Sequence, residues 1–267
     1  MLLVSDIHFG ANRDEDISSF LTDALDPVIN PDKRVIIAGD ITQNASESEF
    51  QQAADFLSYM MENGIKLLFT PGNHDFGDWI GEVIMTDRKA RSRCRQLMVP
   101  ILQQPEVAAH HEFDSIVRCD DHVFVVLRST HRGESHKLGL FGNNRITGRQ
   151  IEWARTSLDA MKLEGRSLHL VTHRSLWQES GDMHTNMVKI SRLEDQLLSC
   201  YPFATYIHGH NHRYVFADTT TPRRAIPIRR LGLPTLSTRN RHWQRGYVSW
   251  NLPYKEPPRL LPSMDLP

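Results

Sequence analysis

The sequence predicts an α/β protein of one large domain that contains two β-sheets. Short apolar runs rich in β-branched residues alternate with helical patterns over residues 1–70, which is typical of parallel strands joined by helical crossovers. After Arg213 the pattern changes to short strands separated by turns, which indicates antiparallel pairing in a second sheet. The chain of 267 residues is long enough for one sizeable core, and no internal repeat or linker divides it.

Local patterns place the individual elements in order. Strands are predicted at 2–5, 34–38, 65–70, 122–129, 168–172, 204–208, 214–217, 226–231, 235–238 and 247–250. Helices are predicted around 17–25, 46–63, 79–104, 148–163 and 190–200. The second helix has its own boundary signals, because Ser46 and Glu49 form a capping-box pattern and Gly64 follows its last turn. Residues 1–251 are expected to form the domain, and the proline-rich residues 252–267 an extended or loosely attached tail.

Composition excludes several classes of protein. A formal net charge of −1 argues against bulk electrostatic attraction to nucleic acid or membrane. The three cysteines lie far apart and form no disulfide pattern, which favours a reducing compartment. No secretory leader and no apolar run of about 18 residues is visible, so a cytoplasmic protein with no membrane partner is expected.

Five polar clusters, each placed directly after a predicted strand, carry the candidate chemistry. They are Asp6-x-His8, Gly39-Asp40, Gly72-Asn73-His74-Asp75, His173 and Gly209-His210-x-His212. Because the carboxyl ends of strands in an open α/β sheet meet at one crevice, these clusters are expected to converge. Carboxylate, imidazole and amide oxygen ligands suit divalent ions such as Mn²⁺, Fe²⁺ or Zn²⁺. Each cluster alone is a common turn or core feature, so the prediction depends on their ordered conjunction.

The ordered pattern D-x-H, G-D, G-N-H-D, H and G-H-x-H resembles that of the calcineurin-like metallophosphoesterases over residues 6–212. The resemblance implies their α/β/β/α fold, a two-sheet β-sandwich flanked by helices. It implies two divalent metal ions as cofactors, with Mn or Fe expected first and Zn as the alternative. One metal would be held by Asp6, His8 and His212, the other by Asn73, His173 and His210, with Asp40 bridging both.

The same resemblance implies the catalytic roles. A metal-bridging hydroxide would attack the phosphorus, His74 would protonate the leaving oxygen, and Asp75 would fix the tautomer of His74. Three further segments, at 39–44, 148–153 and 232–234, resemble the class III cyclic-nucleotide phosphodiesterases. One departure is that Arg174-Ser175 follows His173, where relatives often have a second histidine and prolines.

The favoured function is therefore a phosphodiesterase acting on a small phosphoester such as a cyclic nucleotide. The alternatives are a phosphomonoesterase or protein phosphatase, a metal-dependent nuclease, and a scaffold without catalysis. Two arginine-rich stretches, at 88–95 and 213–245, are interpreted first as solvated surfaces and second as surfaces that steer a phosphate-rich substrate or nucleic acid to the crevice. The sequence leaves the substrate, the native metal and the oligomeric state open.

The remaining histidines are predicted to be structural. His208 is expected to pack in the core, whereas His110, His111, His122, His131 and His136 are interpreted as surface or loop residues. The segment 177–189, which contains Asp182 and His184, is a candidate lid over the crevice.

Overall fold

The computed structural model describes residues 1–77, 88–131, 143–144, 146–163, 165–175, 193–221, 224–237, 244–250 and 257–262. The strands are β1 (Leu2–Val4), β2 (Arg34–Ile37), β3 (Lys66–Phe69), β4 (Val107–His111), β5 (Asp114–Cys119), β6 (His122–Val126), β7 (Thr130–His131), β8 (Asn143–Asn144), β9 (Ser167–Thr172), β10 (Phe203–His208), β11 (Val215–Thr221), β12 (Arg224–Gly232), β13 (Tyr247–Ser249) and β14 (Arg259–Leu261). The helices are α1 (Asp14–Leu25), α2 (Glu47–Glu62), α3 (Arg88–Leu102) and α4 (Gly148–Asp159), with a 3₁₀ turn at His74–Phe76 and a π-helical turn at Glu194–Leu198.

The strands form two main sheets. The first has the order β14-β13-β1-β2-β3 and the second the order β11-β12-β10-β9-β6-β5-β4. Strands β1, β2 and β3 run parallel to one another, and so do β6, β9, β10 and β12. In the first sheet, β13 and β14 pair antiparallel on one side of the parallel strands, and in the second sheet β11 pairs antiparallel at one end and β5 and β4 at the other. Strands β7 and β8 form a separate two-stranded ribbon. Each sheet therefore has a parallel centre whose carboxyl ends point the same way.

Three apolar layers hold the sheets and helices together. Alternate residues of a strand point to opposite faces, so one set from each sheet fills the interior between the sheets. Members of that interior are Leu3, Ile36, Leu68, Phe124, Val171 and Ile207. The outer face of the first sheet packs against α1, α2 and α3, and that of the second against α4. This arrangement confirms the predicted two-sheet sandwich flanked by helices.

The capping box predicted at the start of α2 is present. The Ser46 hydroxyl accepts a hydrogen bond from the Glu49 N–H at 3.3 Å, and the Glu49 carboxylate accepts one from the Ser46 N–H at 3.0 Å. The same carboxylate also accepts a hydrogen bond from the Asn44 N–H at 2.8 Å. The start of α2 therefore also fixes the loop that follows β2.

The antiparallel region differs from the prediction. The strands after Arg213 do not form one sheet of their own, because β11 and β12 extend the second sheet while β13 joins the first beside β1. The hairpin of β4 and β5 was not predicted, since β4 is largely exposed and carries no apolar alternation. Within the segment predicted as a tail, Arg259–Leu261 forms the edge strand β14 of the first sheet. No helix within the described ranges has both the length and the apolar character of a membrane span.

Candidate metal centre

The predicted ligands converge at the carboxyl ends of the parallel strands. Three overlapping groups have ligand atoms within 4.8 Å of one another: Asp6, His8 and His212; His8, Asp40 and His74; and Asp40, His173 and His210. The Asn73 Oδ1 lies 3.1 Å from the His173 Nε2 and so joins the last group. Asp40 belongs to two groups, which is the position that a bridging carboxylate requires.

Both sheets contribute to this centre. The first sheet supplies Asp6 and His8 after β1, Asp40 after β2, and Asn73 and His74 after β3. The second supplies His173 after β9 and both His210 and His212 after β10. The two sheets meet there through backbone and side-chain contacts, such as the hydrogen bond from His210 N–H to Asp6 Oδ2 at 2.9 Å. A metal bound at the centre would therefore join the two sheets.

The backbone is strained at five of the seven predicted ligands. Positive φ angles of 52–67° occur at Asp6, His8, Asp40, His210 and His212. Among the described residues only four other non-glycine positions have such angles. A left-handed conformation at a non-glycine residue costs about 1–3 kcal/mol and persists where the surrounding structure enforces it. The strain is therefore concentrated at the candidate ligand positions, where the surrounding structure must enforce it.

Three glycines of the candidate ligand loops allow neighbouring groups to approach closely. A Cβ on Gly39 would overlap the ring of His173, and one on Gly72 would overlap the Asp40 carboxylate. A Cβ on Gly209 would overlap the Ser5 hydroxyl. Gly39 and Gly72 therefore allow the backbone to pack directly onto ligand side chains, and Gly209 allows it to pack onto Ser5, which contacts the ligand Asp6.

The Asp6 carboxylate is oriented by neighbouring groups that sequence reasoning missed. The Ser5 hydroxyl contacts its Oδ2 at 2.5 Å, while its Oδ1 lies 2.9 Å from the His212 Nε2. The backbone carbonyl of Asp6 accepts a hydrogen bond of 2.6 Å from the buried Thr235 hydroxyl. One oxygen of the carboxylate is thus anchored in the protein and the other faces the candidate metal position.

Both central carboxylates are anionic. Burial acts to raise the pKa of Asp6 and of Asp40, but the neighbouring histidines, chiefly His212 for Asp6 and His173 for Asp40, outweigh it and hold both pKa values below the usual range. Buried carboxylates that stay ionised need cations beside them. Divalent metal ions at this position would meet that need.

The histidines are presented to the centre in two ways. The Nδ1 of His173 lies 2.8 Å from the Ala38 carbonyl, to which it donates, so the Nε2 faces Asp40 at 3.1 Å. Burial lowers the pKa of His173, but Asp40 and Asp6 outweigh it and raise the pKa to about 9. In His8, by contrast, burial lowers the pKa to about 4, and neither ring nitrogen has a hydrogen-bond partner. A buried imidazole without a partner is the state that a metal ion would satisfy.

The contact expected between His74 and Asp75 is not observed. The His74 Nδ1 lies 2.6 Å from the Gln43 carbonyl, which fixes its tautomer. The Asp75 carboxylate instead accepts hydrogen bonds from the Thr42 N–H, the Thr42 hydroxyl and the Gly72 N–H at 2.8–3.0 Å. Its side chain points back beneath the loops because the 3₁₀ turn directs successive residues to different sides. Asp75 therefore joins the loops after β2 and β3, and burial, followed by the charge of Asp40, raises its pKa to about 6.

The burial of the other described histidines agrees with the prediction at His208, His110 and His111 but not at His122. His208 is buried and stacks on Tyr206 with 5.3 Å between ring centroids, as expected for a packing residue. His122 is not a surface residue: it is buried in β6, and its Nδ1 lies 3.0 Å from the Nε2 of the buried His169. His110 and His111 are exposed on β4, and His131 lies in β7. His136 and the candidate lid at 177–189 lie outside the described residues.

Five arginines of the two basic stretches form ion pairs with acidic side chains in the described part of the chain. Arg91 and Arg95 lie 3.0 and 3.8 Å from Glu112, and Arg93 lies 2.8 Å from Glu47. In the second stretch, Arg229 pairs with Asp218 at 3.4 Å, and Arg245 donates to both oxygens of the buried Asp16 at 2.8 Å. These contacts favour the interpretation as solvated and structural surfaces.

A two-sheet sandwich that gathers carboxylate, amide and imidazole ligands at its strand ends defines a candidate dinuclear metal protein. The chain belongs to the calcineurin-like phosphoesterase family, whose model matches residues 1–214. No curated protein matches the chain by sequence.

Solved structures share the fold at low sequence identity. A purple acid phosphatase, PPD1, from yellow lupin seeds is 12% identical with a TM-score of 0.59 over 92% of this chain, which spans only 48% of that protein. A dimetal phosphatase from Danio rerio is 12% identical with a TM-score of 0.55, over 92% of this chain and 93% of its own. GAP50, described as the anchor in the inner membrane complex of Plasmodium, is 10% identical with a TM-score of 0.50, over 99% of this chain and 84% of its own.

Proposed function

We propose that this chain hydrolyses a phosphodiester with two divalent metal ions. The observation that carries the proposal is the convergence of seven candidate ligands with His74 at one sandwich edge. Membership of the calcineurin-like phosphoesterase family supports the reaction class. The widely spaced cysteines favour a reducing compartment, and so the cytoplasm, as its place of action.

The residues divide into two ligand sets. Asp6, His8 and His212 would hold one ion, and Asn73, His173 and His210 would hold the other, with Asp40 shared. Two bound ions supply an activated water at neutral pH and neutralise the charge on the phosphate oxygens. Mn²⁺ or Fe²⁺ is the first choice for this mixture of imidazole and oxygen ligands, with Zn²⁺ next.

His74 is the candidate acid for the leaving oxygen. Its Nδ1 is engaged by the Gln43 carbonyl, so its Nε2 is the nitrogen that can transfer a proton. The ring lies beside the ligand His8 with 4.8 Å between ring centroids, and the His74 N–H donates to Asp40 Oδ1 at 2.8 Å. A proton delivered there would stabilise the alkoxide that departs from phosphorus.

The proposal is tested by hydrolysis of bis-p-nitrophenyl phosphate and p-nitrophenyl phosphate, with Mn²⁺ supplied and with a chelator as control. We expect chelator-sensitive turnover with a preference for the diester. His173→Asn should abolish turnover, whereas His110→Asn, the same change at an exposed histidine with no described side-chain contact, should leave it unchanged. Turnover that survives the chelator would contradict the two-metal proposal.

A phosphomonoesterase is the second candidate, because the lupin and Danio rerio neighbours are described as phosphatases. Preference for p-nitrophenyl phosphate in the same assay would favour it. A scaffold without catalysis is a third candidate, because the structural neighbour GAP50 is described as an anchor. Absence of both turnover and bound metal would favour it. A nuclease would require binding to nucleic acid that weakens steeply with salt, and the ion-paired arginines give it little support.

A further inference from the structure

Arg174, the residue that departs from the expected family pattern, lies at the candidate metal centre. It follows the ligand His173 directly, and only 5% of its surface is exposed. Its Nη1 lies 3.0 Å from the Nε2 of His210, another predicted ligand of the same metal. A permanently charged guanidinium therefore contacts the second metal site, which is formed by Asn73, His173 and His210.

The backbone of Arg174 is fixed on both sides. Its N–H donates to the Ser129 hydroxyl at 2.9 Å, and its carbonyl lies 2.8 Å from both the Thr172 and Tyr206 hydroxyls. Two of these partners lie in β9 and β10 of the second sheet, and Ser129 lies in the chain that follows β6 of the same sheet. The guanidinium can therefore change position only by rotation of its side chain, and it remains at the edge of the centre.

The contact between Arg174 and His210 is incompatible with a metal on His210, whichever ring nitrogen binds the ion. If the Nε2 binds, the metal and the guanidinium N–H compete for one lone pair. If the Nδ1 binds, the neutral ring carries its proton on the Nε2, and two N–H donors then face each other. Occupation of the second metal site must therefore displace the guanidinium.

We propose that Arg174 is a phosphate-binding residue that couples occupation of the second metal site to binding of the phosphate group. Once displaced from His210, the guanidinium adds positive charge beside two cations, which disfavours the second ion. A phosphate group offers that guanidinium a forked, charge-assisted partner and removes the repulsion. This inference rests on the proposed two-metal phosphoesterase function and extends it to the recognition of the phosphate.

The test is calorimetric titration of the metal-free protein with Mn²⁺, with and without inorganic phosphate at a concentration that keeps manganese phosphate soluble. In the wild type, phosphate should tighten binding of the second Mn²⁺ by a factor between about 5 and 150, the usual range of coupling between two sites. In Arg174→Gln, the second Mn²⁺ should bind at least as tightly as in the wild type without phosphate, and phosphate should add little. Arg118→Gln, the same change at an exposed arginine of β5, should behave as the wild type.

Equal phosphate dependence in the wild type and Arg174→Gln, or none in the wild type, would overturn the inference. Circular dichroism establishes that each variant is folded. If Arg174→Gln does not fold, Arg174→Lys tests the same point, because a point charge lacks the forked donor and should give a smaller phosphate effect; an undiminished effect overturns the inference. Coupling that depends on Arg174 in a protein without ester hydrolysis would support the inference while the proposed function fails. Absence of metal binding would overturn both.

Discussion

The imidazole of His74 is positioned by a backbone carbonyl rather than by a neighbouring carboxylate. The Gln43 carbonyl accepts from its Nδ1, and the loop that carries Gln43 is held by the hydrogen bond from Asn44 to Glu49 at the start of α2. A carbonyl orients the ring without adding the negative charge that a carboxylate would bring. Hydrolysis that depends on His74 would therefore owe its geometry to the loop after β2.

His74→Ala should separate catalysis from metal binding. A ring nitrogen of His74 lies within 4.8 Å of ligand atoms of His8 and Asp40, but the family pattern gives His74 no ligand role, so the variant should bind Mn²⁺ as the wild type does. Its turnover should fall by roughly 10²–10⁴-fold, the usual contribution of a general acid. The measurement is kcat for a diester with an alkyl leaving group, which needs protonation most. Unchanged turnover of that substrate would remove His74 from the role of acid.

The glycines of the loops can be tested with a matched pair. Gly72→Ala places a methyl group against the Asp40 carboxylate, so we expect the affinity for Mn²⁺ to fall by at least about tenfold, the equivalent of about 1.4 kcal/mol. Gly64→Ala provides the control, because its Cβ would meet no atom within 4 Å and only its positive φ of 80° is strained. That variant should lose stability but keep its metal affinity in calorimetric titration. Equal metal affinity in both variants would contradict the steric argument.

At the scale of elements, the strands β6 and β9 carry a buried histidine pair at the end of the sandwich away from the metal centre. His122 and His169 contact each other, and His169 stacks on Phe124 and meets the edge of Trp250. Burial, with a smaller contribution from His122, lowers the pKa of His169 to about 3. The pair is therefore neutral in the folded protein at neutral pH.

This pair should make the fold sensitive to acid. The unfolded chain has a histidine pKa near 6.5, so between about pH 6.5 and pH 3 it binds a proton that folded His169 does not, and stability falls as the pH falls. Lowering the pH from 7 to 5 should cost about 2 kcal/mol through His169 alone. Between pH 7 and pH 5, the unfolding free energy of His169→Gln should therefore fall by about 2 kcal/mol less than that of the wild type, as measured by urea unfolding at both pH values. His110→Gln, at an exposed position, serves as the control, and parallel behaviour of all three proteins would refute the assignment.

The helices and parallel strands could be predicted because their patterns are local. The start of α2 has its capping residues in sequence, and β1, β2 and β3 are apolar runs followed by polar ligands. The hairpin of β4 and β5 could not be predicted. Strand β4 is largely exposed and shows no apolar alternation, so only its pairing with β5 in the folded protein defines it as a strand. The placement of β13 beside β1 could not be predicted either, because it joins segments from opposite ends of the chain and leaves no local sequence pattern.

At the scale of the whole molecule, the candidate ligands could be predicted from the sequence, but the groups that orient the side chains of the site could not. The seven candidate ligands are distinctive residue types placed after strands, so their order in the sequence was enough to predict that they would lie together. The Gln43 carbonyl is a backbone atom, and Ser5 and Thr235 are common residues, so none of them has a sequence signature. Arg174 was visible as a departure from the family pattern, but its contact with His210 required the second sheet to be placed against the first.

The candidate ligands are divided between the two sheets, and this division predicts that metal binding stabilises the whole sandwich. The first sheet supplies Asp6, His8, Asp40 and Asn73, and the second supplies His173, His210 and His212. A cation that binds only the folded chain stabilises it by about 2.7 kcal/mol per site at a concentration one hundred times its Kd. Mn²⁺ should therefore raise the melting temperature, and a chelator should reverse the increase.

A ligand variant distinguishes this effect from nonspecific ion binding. His212→Asn removes a second-sheet ligand of the site that contains Asp6 and His8, so it should lose part of the Mn²⁺-dependent increase in melting temperature, whereas His110→Asn should retain all of it. Because each ion would connect the two sheets, amide hydrogen exchange in both β1 and β10 should slow when Mn²⁺ is added. Slowing in β1 alone would mean that the ions are held by the first sheet and do not bridge the sandwich. Slowing in both strands, reduced together in His212→Asn, would show that the metal centre connects the two sheets.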